Sequence, residues 1–159
     1  MIILGIDPGI ARCGWGVVEA RGSKLEVRGY GCIETPSSME VSLRLAAIYK
    51  EISKLIKKYS PQDLAVEELF FNTNAKTAFV VGQARGVVLL AGAENKLKNH
   101  IYTPLQVKIA VTGYGRAEKE QVGKMVQIIL KLKEIPKIDD TTDALAIALT
   151  HAFSRKMKI

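Results

Sequence analysis

Cysteine is scarce: Cys13 and Cys32 are the only two in 159 residues, with no C-x-x-C pair and no Cys/His spacing of the kind that holds zinc. A disulfide framework is therefore excluded, and both are expected to be ordinary thiols. Long apolar runs are missing too. The longest, residues 78–93, contains Arg85 and three glycines and falls short of the roughly 20 apolar residues a membrane-spanning helix needs. Met1-Ile2-Ile3-Leu4-Gly5-Ile6-Asp7 has neither a basic stretch nor a small-residue cleavage site, so it is expected to be a first strand and not a signal peptide, which predicts a cytoplasmic protein. Repeats, low-complexity blocks and Pro/Ser-rich linkers are absent, and the length is that of one domain over residues 1–159 with one core. Histidine is as rare as cysteine. His100 reads as a strand-edge residue, His151 lies inside the last helical segment, and neither has a nucleophilic partner nearby in sequence.

Positive charge, by contrast, is plentiful: 23 Lys and Arg stand against 16 Asp and Glu, a formal charge of +7, which fits an anionic partner such as nucleic acid or a membrane surface. Ile2 to Asp7 is a continuous apolar run ending at Asp7-Pro8-Gly9, a strand followed by a turn. Gly14 to Ala20 and Lys24 to Thr35 alternate as two further strands, joined by a connection short enough for a hairpin. Pro36-Ser37-Ser38 supplies a helix start, and Val41, Leu43, Leu45, Ile48, Ile52, Leu55 and Ile56 mark the apolar stripe of a helix to about Tyr59. Asp63 to Glu67 is apolar on both faces, as a central parallel strand is. Asn74 caps a helix to about Glu94 that is apolar nearly all round, and such a helix must be covered on more than one side. A second copy of the chain, approaching at Gly82, Ala84 and Gly86, is one cover; later helices of the same chain are the other. A short strand at His100 to Thr103 and helices over Pro104–Thr112, Ala117–Lys131 and Asp140–Lys156 complete the reading.

Strand, crossover helix and strand in one sheet run parallel. Asp7 and Glu67 each end such a strand, so neighbouring strands bring both to the carboxyl edge, where open α/β sheets place their sites. Singly, Asp7 also fits an Asx turn before Pro-Gly, and Glu67 or Glu68 a solvated strand end. Asp140 and Asp143 are three apart and share a helix face, with Asp139 beside them as a candidate cap. Acids in a first turn also complement the helix dipole. That leaves unexplained why Asp143 precedes the apolar run Ala144–Leu149, a costly place for an unpaired carboxylate unless a cation compensates it. Four convergent carboxylates suit Mg²⁺ or Mn²⁺ and not zinc, and two such ions would activate a water and stabilise the leaving oxygen in phosphodiester cleavage.

In order and spacing, Gly5-Ile6-Asp7-Pro8-Gly9, Ala65-Val66-Glu67-Glu68-Leu69-Phe70, Gly82-Gln83-Ala84-Arg85-Gly86-Val87, Gln106-Val107-Lys108, Ala117-Glu118-Lys119 and Asp140-Thr141-Thr142-Asp143-Ala144-Leu145-Ala146 resemble the RuvC family of Holliday-junction resolvases over essentially the whole chain. The resemblance implies an α/β ribonuclease H-like fold, a five-stranded mixed sheet flanked by helices. It further implies a homodimer that nicks two strands of like polarity at four-way junction DNA, with the RuvA–RuvB branch-migration complex as partner. Asp7, Glu67, Asp140 and Asp143 match the metal-binding catalytic carboxylates. Some relatives carry histidine where Asp140 stands, and Glu68 occupies a position where the family commonly has Gln or another polar residue. Phe70 matches an aromatic that contacts unstacked DNA, and Lys108 and Lys119 match basic residues near the scissile phosphate.

Each of these has a plainer reading as well. Phe70 or Phe71 can staple the following helix, Lys108 can be a solvated helix lysine, and Lys119 can pair with Glu118 or Glu120. Between Pro104 and Lys137, however, seven Lys and Arg face three acids, which makes this the expected phosphate-tracking surface. Arg85, inside an apolar helix, is expected to be a structural ion-pair partner. Gly113 and Gly115 resemble a phosphate-approaching loop only weakly. The expected activity is a Mg²⁺-dependent, junction-selective endonuclease of recombination and repair. The alternatives are a related nuclease acting on ribosomal RNA precursors, a single lobe of an ATP-handling fold, and a non-catalytic junction-binding module.

Overall fold

A computed structural model of the chain describes residues 1–69 and 75–156. β1 (Ile2–Asp7), β2 (Arg12–Arg21) and β3 (Lys24–Glu34) form an antiparallel meander. Its second turn has only Gly22 and Ser23 between strands, and Gly22 takes φ +59°, a left-handed conformation that glycine adopts without a steric penalty. After α1 (Val41–Tyr59), β4 (Asp63–Glu67) returns parallel to β1; after α2 (Ala75–Glu94), β5 (Lys98–Tyr102) adds parallel to β4. The sheet order is β3-β2-β1-β4-β5, the five-stranded mixed sheet expected. α3 (Pro104–Thr112), α4 (Lys119–Leu130) and α5 (Asp139–Lys156) follow.

Alternation along the strands sorts side chains onto two faces. Leu4, Ile6, Leu64 and Val66 pack with Ile48, Ile52 and Ile56 of α1 and Ala84 and Val88 of α2. Ile3, Val18 and Ala65 pack on the other face with Leu145 to Leu149 of α5, which α3 and α4 cover in turn. α5 is thus enclosed between the sheet and two helices, and the continuous apolar run of its sequence follows from that position. Each large side chain so buried contributes roughly 1.5–3 kcal/mol.

Helix starts differ from expectation at α1 and α5. α1 starts at Val41 and not at Pro36-Ser37-Ser38. Thr35 N–H donates to Ala11 O and its hydroxyl to Ile10 O, so the chain stays extended past β3 and residues 36–40 turn before the helix begins. Val41 and Leu43 are exposed and Arg44 takes the inward position instead, donating from Nε to Thr35 Oγ1 over 2.8 Å. Asp139, expected as a cap, is the first residue of α5. The expected Asn74 cap lies outside the described residues.

Candidate active site

Ile3, Gly5 and Asp7 alternate onto the α5 face of β1, as Asp63, Ala65 and Glu67 do on β4. With Ile6 paired to Val66, Asp7 and Glu67 end adjacent strands roughly 4.8 Å apart, both directed to the helix side. What lowers α5 onto them is a set of missing side chains. Gly14 is the β2 residue directly opposite Asp7, and a Cβ there would run into the Asp140 carbonyl oxygen; a Cβ on Gly5 would run into that of Ala144. Because the first turns of α5 rest on bare strand backbone, Asp140 and Asp143 reach the carboxyl edge of β1 and β4.

Electrostatic coupling links Asp7 to the other three acids. Burial, then the negative charges of Glu67, Asp143 and Asp140, push Asp7 up to about 8 from an ordinary 3.8, while Lys119 opposes the rise. Glu67 is pushed up to about 7, by burial and then by Asp143. Burial also raises Asp143, although Lys119 Nζ, 3.1 Å from its Oδ2, pulls the other way. Asp140 Oδ2 stands 3.3 Å from Arg12 Nε, yet this oxygen is buried and accepts no hydrogen bond from the described residues. Oxygen-only donors, mutual repulsion and an unsatisfied buried carboxylate oxygen together fit hard divalent cations. A cleft of about 290 Å³ opens alongside, lined by Lys119, Asp139, Thr142 and Asp143 among others. A larger groove between the β2–β3 turn and the end of α4 contains none of the four acids.

Of the remaining candidates, Glu67 is half-buried beside the other acids and Glu68 is exposed. Lys119 pairs with Asp143, and its neighbour Glu120 with Lys124. Lys108 is half-buried on α3 and is among none of the charges that perturb Asp7, Glu67 and Asp143. Phe70 and Phe71 lie outside the described residues. Gly113 is the left-handed C-cap of α3 at φ +76°, a structural role that accounts for its presence.

Other features were hidden in the sequence. Arg85 donates from Nε to the main-chain oxygen of Glu67 over 3.2 Å, anchoring the end of β4 where an ion pair was expected. Arg12 reaches Asp140 across the sheet. Neither shares a local motif with its partner; only the packing of α2 and of α5 against the sheet brings them together. His100 and His151, unpartnered in sequence, have ring centroids 4.2 Å apart beside Asp63, at the opposite end of β4 from Glu67.

Residues 3–151 match the family model described as crossover junction endodeoxyribonuclease RuvC. The crossover junction endodeoxyribonuclease RuvC of Halothermothrix orenii is 54% identical over 99% of this chain and 95% of its own length. A structure of Thermus thermophilus RuvC in complex with Holliday junction substrate superposes with a TM-score of 0.94 at 40% identity, covering 99% of this chain and 96% of that one. The yeast mitochondrial Holliday junction resolvase Ydc2, at 14% identity, shares the fold with a TM-score of 0.73 over 97% of this chain and 78% of its own.

Proposed function

The chain belongs to the RuvC family of crossover junction endodeoxyribonucleases, and from that premise we propose that Asp7, Glu67, Asp140 and Asp143 are its catalytic metal ligands. The protein is a nuclease that resolves Holliday junctions by cleaving DNA. The relatives described above are named for crossover junctions, and the ribosomal RNA reading has no support among them. The observation that carries the assignment is the convergence of four acids, two of them held near neutral pH by burial and one another.

These carboxylates would hold two Mg²⁺ ions, for which Mn²⁺ can substitute because both prefer oxygen ligands. Such ions, when bound, activate a water and stabilise the leaving oxygen of a phosphodiester. Asp7 and Glu67, fixed at adjacent strand ends, supply one side of the pocket; Asp140 and Asp143, carried on α5, supply the other. Lys119 has a largely exposed ammonium beside Asp143, free to exchange a carboxylate for a phosphate as DNA arrives. Lys108 on the same basic segment tracks the backbone, and Phe70 stacks on an unpaired base.

The active form is a homodimer joined through α2. Phe79 and Leu90 point to solvent, and Gly86 has open space where a side chain would be. α2 packs on α1 and β5, on the face of the sheet opposite α5, so among the described residues the later helices do not cover it. Ala84, expected at the contact, is fully buried against the sheet instead. Two copies place two sites for two strands, and RuvA–RuvB is the branch-migration partner that family membership implies.

Asp7→Asn and Asp143→Asn each keep shape and remove a ligand. Mg²⁺-dependent nicking of a synthetic four-way junction should fall by about a thousandfold or more, with junction binding by gel shift little changed. Undiminished nicking by either variant would overturn the assignment.

A further inference from the structure

We propose that Asp63, His100 and His151 form a second metal site, selective for Zn²⁺ or a similar borderline cation, that ties β4, β5 and α5 together at the end of the sheet remote from the catalytic carboxylates. His151 Nε2 lies 3.0 Å from Asp63 Oδ2, and His100 Nε2 lies 3.5 Å from Asp63 Oδ1. One ligand atom from each residue falls within 4.8 Å of the other two. Donors around a tetrahedral zinc, bonded at about 2.0–2.1 Å, stand about 3.3 Å apart, and each imidazole already lies near that distance from the carboxylate, His151 at Oδ2 and His100 at Oδ1. Two imidazoles and one carboxylate form the kind of donor set that catalytic zinc uses, with the fourth position left to water. Magnesium, which prefers oxygen, is disfavoured here.

Three further observations fit. His100 Nε2 is buried and finds no hydrogen-bond partner among the described residues, although it faces the carboxylate; a buried ring nitrogen left in that state costs free energy that a metal bond would recover. Tyr102 OH lies 2.7 Å from His151 Nδ1, the position from which an oxygen fixes the ring of a metal-bound histidine. Burial holds the His151 pKa below its ordinary value, which keeps the ring neutral, as a ligand must be. Burial alone would raise Asp63, but its hydrogen bond with His151 and the charge of Arg155 outweigh it and hold the carboxyl below its ordinary value. Arg155 reaches Oδ2 from solvent over 2.8 Å and leaves Oδ1 to His100.

The chain has only two histidines, and both belong to this cluster, so their ring signals report on it without interference from the carboxylate site. Metal-free protein is titrated with Zn²⁺ and, separately, with Mg²⁺ while imidazole ¹⁵N resonances are recorded by NMR and Tm is followed. One equivalent of Zn²⁺ should shift both Nε2 signals together and raise Tm, and Mg²⁺ should leave both rings unmoved. His100→Gln, at a partly exposed ring whose Nε2 finds no hydrogen-bond partner among the described residues, should lower zinc affinity at this site at least tenfold. Ring signals unmoved by several equivalents of Zn²⁺ would overturn the proposal, as would a His100→Gln variant in which zinc shifts His151 as before. If that variant fails to fold, the ring signals of the unmodified protein decide alone.

Discussion

A carboxylate buried among three others is most stable with its proton until a cation arrives. Asp7 titrates near 8 in the fold against an ordinary 3.8, and Glu67 near 7 against 4.5. For an acid raised in this way, the folded state binds the proton more tightly than the unfolded one. Its stabilising contribution is complete below the unfolded pKa and is lost as pH rises through the folded pKa. The metal-free protein should therefore lose stability from about pH 4 to about pH 8, at about 2–4 °C of Tm per kcal/mol. Asp63, lowered by its partners, gains its contribution above an ordinary carboxylate pKa and so works in the opposite sense at the acid end. Thermal melts across this range should show the loss, Asp7→Asn should flatten it, and Mg²⁺ should restore Tm at the alkaline end. A pH-independent Tm would contradict the crowding of these acids. Asp7 and Glu67 were legible as residues because a strand-ending acid before Pro-Gly, and another after an apolar strand, leave a local mark. Asp63, His100 and His151 left none, since 88 residues separate Asp63 from the ring it bonds.

The element that decides the site is α5, and what positions it is glycine in the strands below. Alanine at Gly14 would place a methyl in the Asp140 carbonyl, opposite Asp7, and force the helix start away from the sheet. Gly14→Ala should lower Mg²⁺-dependent nicking by about a hundredfold, the penalty of misplacing catalytic groups by about 1 Å. Junction binding should change far less, and full activity would show that the close approach is not what seats Asp140. The apolar run of α5 and its two aspartates were readable from periodicity. The role of Gly14 was not, because glycine in a strand signals a close approach without saying to what. The start of α1 was misplaced for a related reason: Pro36 and the serines are turn formers as well as helix starters. The bond from Arg44 to Thr35, which settles the matter, is tertiary.

At the scale of the whole molecule, 23 basic residues face 16 acids, four of which converge in one pocket. Away from that pocket the surface is more basic than the net charge states, and cations in the pocket would remove the one acidic feature that repels phosphate. The outward face of α2 makes the oligomer testable. The protein should sediment as a dimer at micromolar concentration, and Phe79→Glu, a charge placed at a 67% exposed ring, should give a folded monomer. A wild-type monomer under those conditions would remove the α2 interface. Family and fold were legible from six ordered motifs; the outward face of α2 was legible only as part of an over-apolar helix, since the sequence did not say which side the sheet would take. The most direct measurement is incubation of the purified protein with a synthetic four-way junction and a matched linear duplex, each with and without Mg²⁺. Paired, symmetric nicks should appear in the junction, only with the metal, and the duplex should stay intact. Equal cutting of the duplex, or junction cleavage that survives removal of the metal, would contradict a metal-dependent, junction-selective nuclease.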